Sequence, residues 1–431
     1  MSPGQVLRQV WRQPRGLYNT LGPGLITGAA DDDPSGIATY SQAGASFGYG
    51  LGWSVLLALP FMVAVQEISA RLGRVTGHGL GWALRRHAPW PLVIAIVAML
   101  AVANVLNLAA DIGAMGATLH LLIGGHSKYD STNALTILVA SICVVAEIWM
   151  SYKRYVSLLK LLTLSLLSYI ALLFVVHVDW RAMALGTFVP HLDLTRDAAL
   201  TLVAVLGTTI SPYLFFWQAS EEAEDACQEP DPRPLRIHTK DAPEQMRRIQ
   251  IDTWVGMAFS NLVALAIVAG CAATLHTHGV TTIDTPDQAA AALQPIAGPF
   301  ARAIFAAGII GTGLLAVPTL AGSLAYALGE TLRWRTGLSK RPAAAPLFYA
   351  AIAIATALGV LIVFSPLSPM RALFWAAVVN GVTATPMIIC MVVLGSRRLV
   401  MGELTLPAWL RWLGWLAAVL MGAATVAMVV L

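Results

Sequence analysis

Apolar residues run along this chain in long, unbroken blocks separated by short polar stretches. Eleven blocks fall near 21–48, 51–72, 90–123, 133–151, 155–178, 197–220, 252–275, 298–328, 344–364, 370–395 and 407–430. A helix needs roughly 20 apolar residues to cross the hydrocarbon core of a bilayer. The pattern therefore predicts eleven membrane-spanning helices. The blocks are continuous rather than alternating, which argues against an outer-membrane barrel. The third and eighth are long enough to tilt or to extend past the bilayer.

Two of the predicted spans are interrupted in the same way. The first reads GPGLITGAADDDPSGIATYSQAGA and the sixth LVAVLGTTISPYLFFWQASEEAED. Each is apolar, then broken by a polar residue and a proline (Asp33-Pro34 and Ser211-Pro212), then helical again. They lie five spans apart, and an odd offset makes two five-span halves inverted with respect to each other. Paired broken helices at matching places in two halves point to a transport site near the bilayer midplane. Unwound backbone survives at that depth only where it lines a cavity or is buried in protein. Ordinary proline kinks are the plainer reading, and Pro60 and Pro318 fit it. The pair with polar residues attached fits it less well. The expected organisation is a segment 1–20, a first repeat 21–178, a loop 179–196, a second repeat 197–395 containing a polar loop 221–251, and an eleventh span within 396–431.

Composition narrows the class. The chain is 57% apolar and 12% charged, with mean hydropathy +0.70, against about 25% charged residues in ordinary soluble domains. Too few charges exist to coat two or three soluble domains, and disorder is excluded by the same balance. The net charge of +4 says nothing about nucleic acid. Its distribution says more. Twenty of the 27 Lys and Arg fall in the N-terminal segment and in the loops after spans two, four, six, eight and ten. Lys128, Arg181, Arg196, Arg302 and Arg371 fall on the other side. The positive-inside bias then puts the N-terminus, a basic amphipathic lead-in helix rather than a signal peptide, in the cytosol and the C-terminus outside. Cys143, Cys227, Cys271 and Cys390 show no paired spacing and imply neither a disulfide framework nor a metal knuckle.

The candidate chemistry is acidic. Asp31, Asp32 and Asp33 stand inside the first apolar block, where a carboxylate costs about 2.5–3.5 kcal/mol on insertion scales. Three together would not all stay ionised without a nearby cation, unless one or two face a water-filled vestibule. Asp33, beside Pro34, is expected where the helix unwinds and carbonyls come free. A carboxylate among carbonyls is the all-oxygen setting that hard divalent cations prefer. Asp111 is a second intramembrane acid, with Asn104 and Asn107 at i−7 and i−4 forming a polar stripe on one helix face; a structural hydrogen-bond role is its rival reading. Glu67 and Glu147 are expected to join a network with Arg71, Arg74, Lys153 or Arg154. Glu147 sits at the end of span four. The SEEAED run, 220–225, reads as a solvated helix end. Enzyme templates are missing: there is no His pair at metal-ligand spacing, nucleophile elbow or phosphate-cradling loop, and no nucleic-acid module.

These residues resemble the Nramp family of divalent metal transporters. GPGLITGAADDDPSGIATYSQAGASFGYG is similar to the family's first span, QEISARLGRVTGHGL to the second, GLLAVPTLAGSLAYALGE to the eighth and PMIICMVVLGSRRLVMGE to the end of the tenth. The resemblance implies a ten-helix inverted repeat of the sodium-coupled amino-acid symporter type, with an optional eleventh helix. It also exposes departures. Where the family has Asp-Pro-Gly-Asn, this chain has Asp33-Pro34-Ser35-Gly36, so the asparagine ligand is lost at Gly36. Where the family has Met-Pro-His, it has Ser211-Pro212-Tyr213. The methionine ligand becomes Ser211, and the histidine tied to proton coupling becomes Tyr213. The family's acidic positions in the third span fall on Asn107 and Ala110, with Asp111 one place away.

Losing a soft thioether while keeping a carboxylate leaves a hard, oxygen-only site. Glycine for asparagine widens it, which suits an ion that keeps several waters. The pattern resembles the Nramp-related magnesium transporter branch. The expectation is Mg²⁺ uptake, with Mn²⁺ also carried and no strict proton coupling. Asp33 would be the principal ligand. Carbonyls near Ala30, Gly36 and Ser211, the Ser211 hydroxyl and Tyr213 would complete the shell, with Asp111 and Asp32 adding charge. No resident cofactor is expected. The partners are the transported cation and the lipid bilayer. The rivals are an ordinary proton-coupled Mn²⁺/Fe²⁺ symporter, an organic-solute symporter on the same architecture, and a receptor descended from a transporter.

Overall fold

The computed structural model describes residues 22–123, 132–149, 166–191, 195–227, 234–237, 239–294, 298, 301–364 and 368–431. The expected lead-in helix and most of the expected fifth span lie outside these residues, as does the side chain of Glu147. Among the described residues all regular structure is helical. The helices are α1 (Pro23–Asp31), α2 (Pro34–Phe47), α3 (Gly52–Thr76), α4 (Leu80–His87), α5 (Trp90–Ile123) and α6 (Thr132–Trp149). Then come α7 (Leu167–Leu172), α8 (Trp180–Phe188), α9 (Arg196–Thr209), α10 (Pro212–Cys227), α11 (Ala242–Thr274) and α12 (Pro286–Ala291). The last are α13 (Ala301–Leu332), α14 (Pro346–Val363), α15 (Pro369–Ser396), α16 (Arg398–Met401) and α17 (Ala408–Val430). Eight segments, counting α9 and α10 as one, are long and apolar enough to cross a membrane. The split first span, α1 with α2, and the fourth, α6, match the remaining apolar blocks.

Proline sets where several of these helices begin. Pro23, Pro34 and Pro212 each open a helix, where the missing N–H would have had no partner and the fixed φ suits the first turn. Pro60, Pro318 and Pro386 lie inside continuous helices. Packing follows the inversion expected from the two broken spans. α1 and α2 of span one lie on α11 of span seven, and α10 of span six lies on α3 of span two. The long α5 is held by α13, α14 and α15. The sixth span is the most enclosed of the eight and the eleventh the least, so the broken helices sit at the centre and α17 at the periphery.

Helix α1 can lie directly on α11 because glycine meets glycine. A Cβ on Gly28 would overlap the backbone of Gly256. The symmetric contact is built the same way, with Gly73 of α3 against the Ala219 carbonyl of α10. Gly28→Ala is therefore expected to destabilise the protein by about 1–3 kcal/mol, the usual range for overpacking. Gly308→Ala, where a Cβ meets nothing within 4 Å, should be close to neutral. Thermal unfolding in detergent compares them.

Two loops differ from expectation. The polar loop 221–251 is shorter, because α10 continues to Cys227 and α11 begins at Ala242. Two of its acids do not end in solvent: Glu221 and Glu222 are buried, whereas Asp225, Asp241 and Glu244 are exposed. The loop 179–196 contains α8, whose first turn is capped by the Asp179 carboxylate accepting from the Arg181 and Ala182 amides.

Candidate metal site

The two breaks face each other in the centre of the bundle. The first is two residues long, Asp32 and Asp33, between α1 and α2. Asp33 is the N-cap of α2: its Oδ1 accepts from the Gly36 amide at 2.7 Å and from the Ser35 hydroxyl at 2.7 Å. Its carbonyl accepts from the Ile37 amide at 3.0 Å. The second break, Ile210 and Ser211, separates α9 from α10. Tyr213, in the first turn of α10, reaches across it. The Tyr213 hydroxyl lies 2.8 Å from the Ala30 carbonyl and 3.2 Å from Asp33 Oδ2. One phenol thus bridges the C-terminal end of α1 and the acid that opens α2. Ala30, Asp33, Gly36 and Tyr213 are all buried.

Of the residues singled out in the sequence, Asp33, Ala30 and Tyr213 come together here. Two others take different roles. Gly36 presents its amide, not its carbonyl, because it already belongs to the first turn of α2. A Cβ there would stand 3.2 Å from Thr208 Oγ1, 3.3 Å from the Asp31 carbonyl and 3.4 Å from Tyr40, so glycine keeps this corner open. Ser211 is turned into its own segment. Its hydroxyl donates toward the Gly207 and Thr208 carbonyls, both at 2.9 Å, and its carbonyl accepts from the Leu214 amide at 3.2 Å. A break in a helix frees carbonyls that need donors, and the serine hydroxyl meets that need locally.

The other acids surround this centre. Asp31 and Asp32 are buried, which excludes the solvated-vestibule reading. They share the hydroxyl of Ser260 on α11, 2.7 Å from Asp31 Oδ2 and 3.2 Å from Asp32 Oδ1. One hydroxyl has one hydrogen, and among the described residues Asp31 Oδ1 and Asp32 Oδ2 meet no partner. Asp111 is buried on α5 and faces Asp33 and the Ser35 backbone amide. The rest of its stripe is structural. Asn107 pairs with Asn380 of α15 at 2.9 Å, and Asn104 donates to the Leu320 carbonyl and to Ser323 of α13. Among the described residues, no three His, Cys, Asp or Glu side chains converge as a metal cluster. An ion here would rely on backbone and hydroxyl oxygens beside the Asp33 carboxylate.

Two cavities approach from opposite ends. One, about 1030 Å³, is lined by Ala38, Gln42 and Ser46 of α2, Thr201 of α9 and the 281–284 segment. The other, about 520 Å³, is lined by Ser220 and Glu224 of α10, Tyr326 and Glu330 of α13 and His78. Neither is lined by Asp33, Gly36, Ser211 or Tyr213, so the centre is closed off from both.

At the second end, acids and bases form a network that is buried at Glu222 and Arg74 and reaches the surface at Asp225. Glu222 Oε2 accepts from Arg248 at 2.5 Å, Arg248 lies 3.7 Å from Asp225, and Asp225 lies 3.1 Å from Arg74. Arg71 pairs with Glu67 at 2.6 Å, one helical turn away. The solvated reading of the 220–225 run fails at Glu221 and Glu222, which are buried, with Arg248 of the neighbouring helix neutralising Glu222, and holds at the exposed Asp225. Sequence reasoning also missed Asp252 and Ser260. The signal was present: Asp252, Gly256 and Ser260 recur every four residues in an apolar block, a stripe on one helix face, here the face that carries α1.

Two broken helices crossing at a closed centre within inverted five-span repeats define a membrane transporter fold. The sequence pattern of the family described as natural resistance-associated macrophage protein-like (Nramp) matches residues 24–431, and the chain belongs to that family. It is 27% identical to the divalent metal cation transporter MntH of Klebsiella pneumoniae subsp. pneumoniae over 405 residues, 92% of this chain and 90% of that one. It is 31% identical to the MntH of Yersinia enterocolitica over 314 residues, 70% and 71% of the two chains. In three dimensions it is similar to the manganese transporter of Eremococcus coleocola, with TM-score 0.73 at 16% identity, covering 95% of this chain and 85% of the other. The more distant nucleobase–cation symporter Mhp1 shares the fold at TM-score 0.58 and 13% identity, with 95% and 90% covered.

Proposed function

We propose that this protein carries divalent metal cations across a membrane by alternating access, that Mg²⁺ is the preferred ion with Mn²⁺ also accepted, and that proton coupling is not strict. The observation that carries this reading is the donor set at the crossing: the Asp33 carboxylate, the Ala30 carbonyl and the Tyr213 hydroxyl, all oxygen. Hard, strongly hydrated cations favour such donors, whereas a thioether would favour softer metals. Gly36 contributes space for retained water rather than a ligand. Asp32 and Asp111 contribute negative charge near the ion. Ser211 joins only if its hydroxyl leaves the α9 carbonyls. The relatives named as divalent metal cation or manganese transporters support the substrate class.

The cycle follows from the two cavities. The cation approaches through the larger one, enters between Asp33, Ala30 and Tyr213 as the phenol turns its hydrogen away and its oxygen toward the ion, and leaves through the smaller one when α1 and α10 tilt from the scaffold. With a cytosolic N-terminus, the larger cavity is extracytoplasmic and transport runs inward. A membrane potential alone favours dication uptake by about 4.6 kcal/mol per 100 mV, twice the single-charge value, so no second ion is needed.

The second reading is a proton-coupled Mn²⁺/Fe²⁺ symporter, favoured by the buried acids Asp31, Asp32 and Asp111. Proteoliposomes separate the two. Mg²⁺-dependent dye signals inside the vesicle, at a membrane potential and without internal acidification, are the expected result. Strong Mn²⁺ or Fe²⁺ flux with acidification and no Mg²⁺ flux would establish the second reading instead.

A further inference from the structure

Helix α1 has no cap of its own. Gly22 stands at its N-cap with no side chain to offer, and the first amides of any helix have no partner within it. Asp252, one turn beyond Arg248 on α11, supplies what is missing. Its Oδ1 accepts from the Gly22 and Leu25 amides, both at 3.0 Å, and its Oδ2 from the Gly24 amide at 2.7 Å. Asp252 is fully buried. The cation facing it is Arg248, which binds Glu222 of α10, and the same cluster reaches α3 through Asp225 and Arg74. One carboxylate and its ion-pair neighbours therefore fasten α1, α11, α10 and α3 together at this end.

We infer that Asp252 is a positioning residue: it holds the α1 half-helix in its closed place and sets how readily the ion site opens at the end where α1 begins. The inference rests on the alternating-access reading above. Charge-assisted hydrogen bonds are about twice as strong as neutral ones, and a carboxylate also complements the positive end of the helix. Three such bonds on one short helix make a discrete catch, since a tilt of α1 must break them together. The anchor also acts at a distance. Ala30 lies at the far end of α1 and Asp33 caps α2 beyond the break, so moving the start of α1 re-aims the Ala30 carbonyl relative to Asp33, the two groups bridged by Tyr213.

The experiment uses the full chain with Cys143, Cys227, Cys271 and Cys390 replaced and one reporter, Ile26→Cys, on α1, where the side chain is 8% exposed. Maleimide labelling of the solubilised protein without metal reports how often α1 lifts. Asp252→Asn is expected to speed labelling about tenfold, the size of a lost charge-assisted bond, and Asp252→Glu to restore much of the slow rate. Leu25→Pro, which deletes one of the three amide donors in the first turn where proline is tolerated, should also speed labelling and serves if Asp252→Asn does not fold. Unchanged labelling in the folded variants overturns the inference, even if their melting points fall. Because labelling needs no metal, accelerated labelling in a protein that moves no Mg²⁺ would uphold the catch and remove the transport reading instead.

Discussion

Asp33→Asn should abolish metal uptake and leave the helices where they are. Asparagine is as good an N-cap as aspartate, so the bonds that Oδ1 accepts from the Gly36 amide and the Ser35 hydroxyl can be kept and α2 still starts at Pro34. What disappears is the negative charge at the crossing of the broken helices. Removing a group that merely supports a metal ligand costs about 10–100-fold in affinity or activity. Loss of the charged ligand itself is expected to exceed about a hundredfold in initial uptake rate. Ion flux into proteoliposomes, alongside the thermal midpoint of the same preparation, reads both halves of this expectation. Normal flux through the variant would move the ion site away from Asp33. A collapsed midpoint would show that the substitution had reached the fold, and Asp33→Glu would then be the variant to measure.

The largest effect on stability is expected at Arg248→Ala. Glu222 is fully buried, and Arg248 is its ion-pair partner at 2.5 Å with little exposure of its own. Deleting one partner of a buried pair costs about 3–5 kcal/mol, because the other charge is left without compensation. Here the loss would also reach Asp225 and Asp252, both of which feel the Arg248 charge. Neutralising the stranded acid in Arg248→Ala with Glu222→Gln should recover part of the loss. Thermal unfolding of the single and double variants in detergent gives the comparison, and a single variant as stable as the parent would mean that the pair carries no net stabilisation.

Much of this molecule was legible in the order of its residues. The apolar blocks located the long helices because a bilayer allows few alternatives to them. The two Xaa-Pro interruptions located the centre because proline opens a helix as reliably as it breaks one. Asp33 followed from the first break, whereas Ala30 and Tyr213 entered only through the family resemblance. Less legible was which way each polar group would turn. Whether Gly36 offers a carbonyl or an amide depends on α2 beginning at Pro34 rather than a turn later. Whether Ser211 faces an ion or its own helix depends on which carbonyls the end of α9 leaves open. Glu222 was misread because its partner Arg248 comes from the following helix, which folds back beside α10 only in three dimensions, and Arg74, 151 positions from Asp225, is remote in sequence. Asp252 escaped notice for the same reason: its three donors lie some 230 positions away, and a carboxylate near the end of an apolar block looks like a solvated one until the neighbouring helix start is known.

The phenol that spans Ala30 and Asp33 has a bearing on the unloaded half of the cycle. A carrier that does more than swap one ion for another has to turn over once without cargo, and bare oxygens left in a greasy interior would stall that step. With the Tyr213 hydroxyl set against the Ala30 carbonyl and Asp33 Oδ2, the Asp33 edge at the crossing keeps a polar partner through the return stroke. Net accumulation, rather than one-for-one exchange, is the behaviour such an internal placeholder favours.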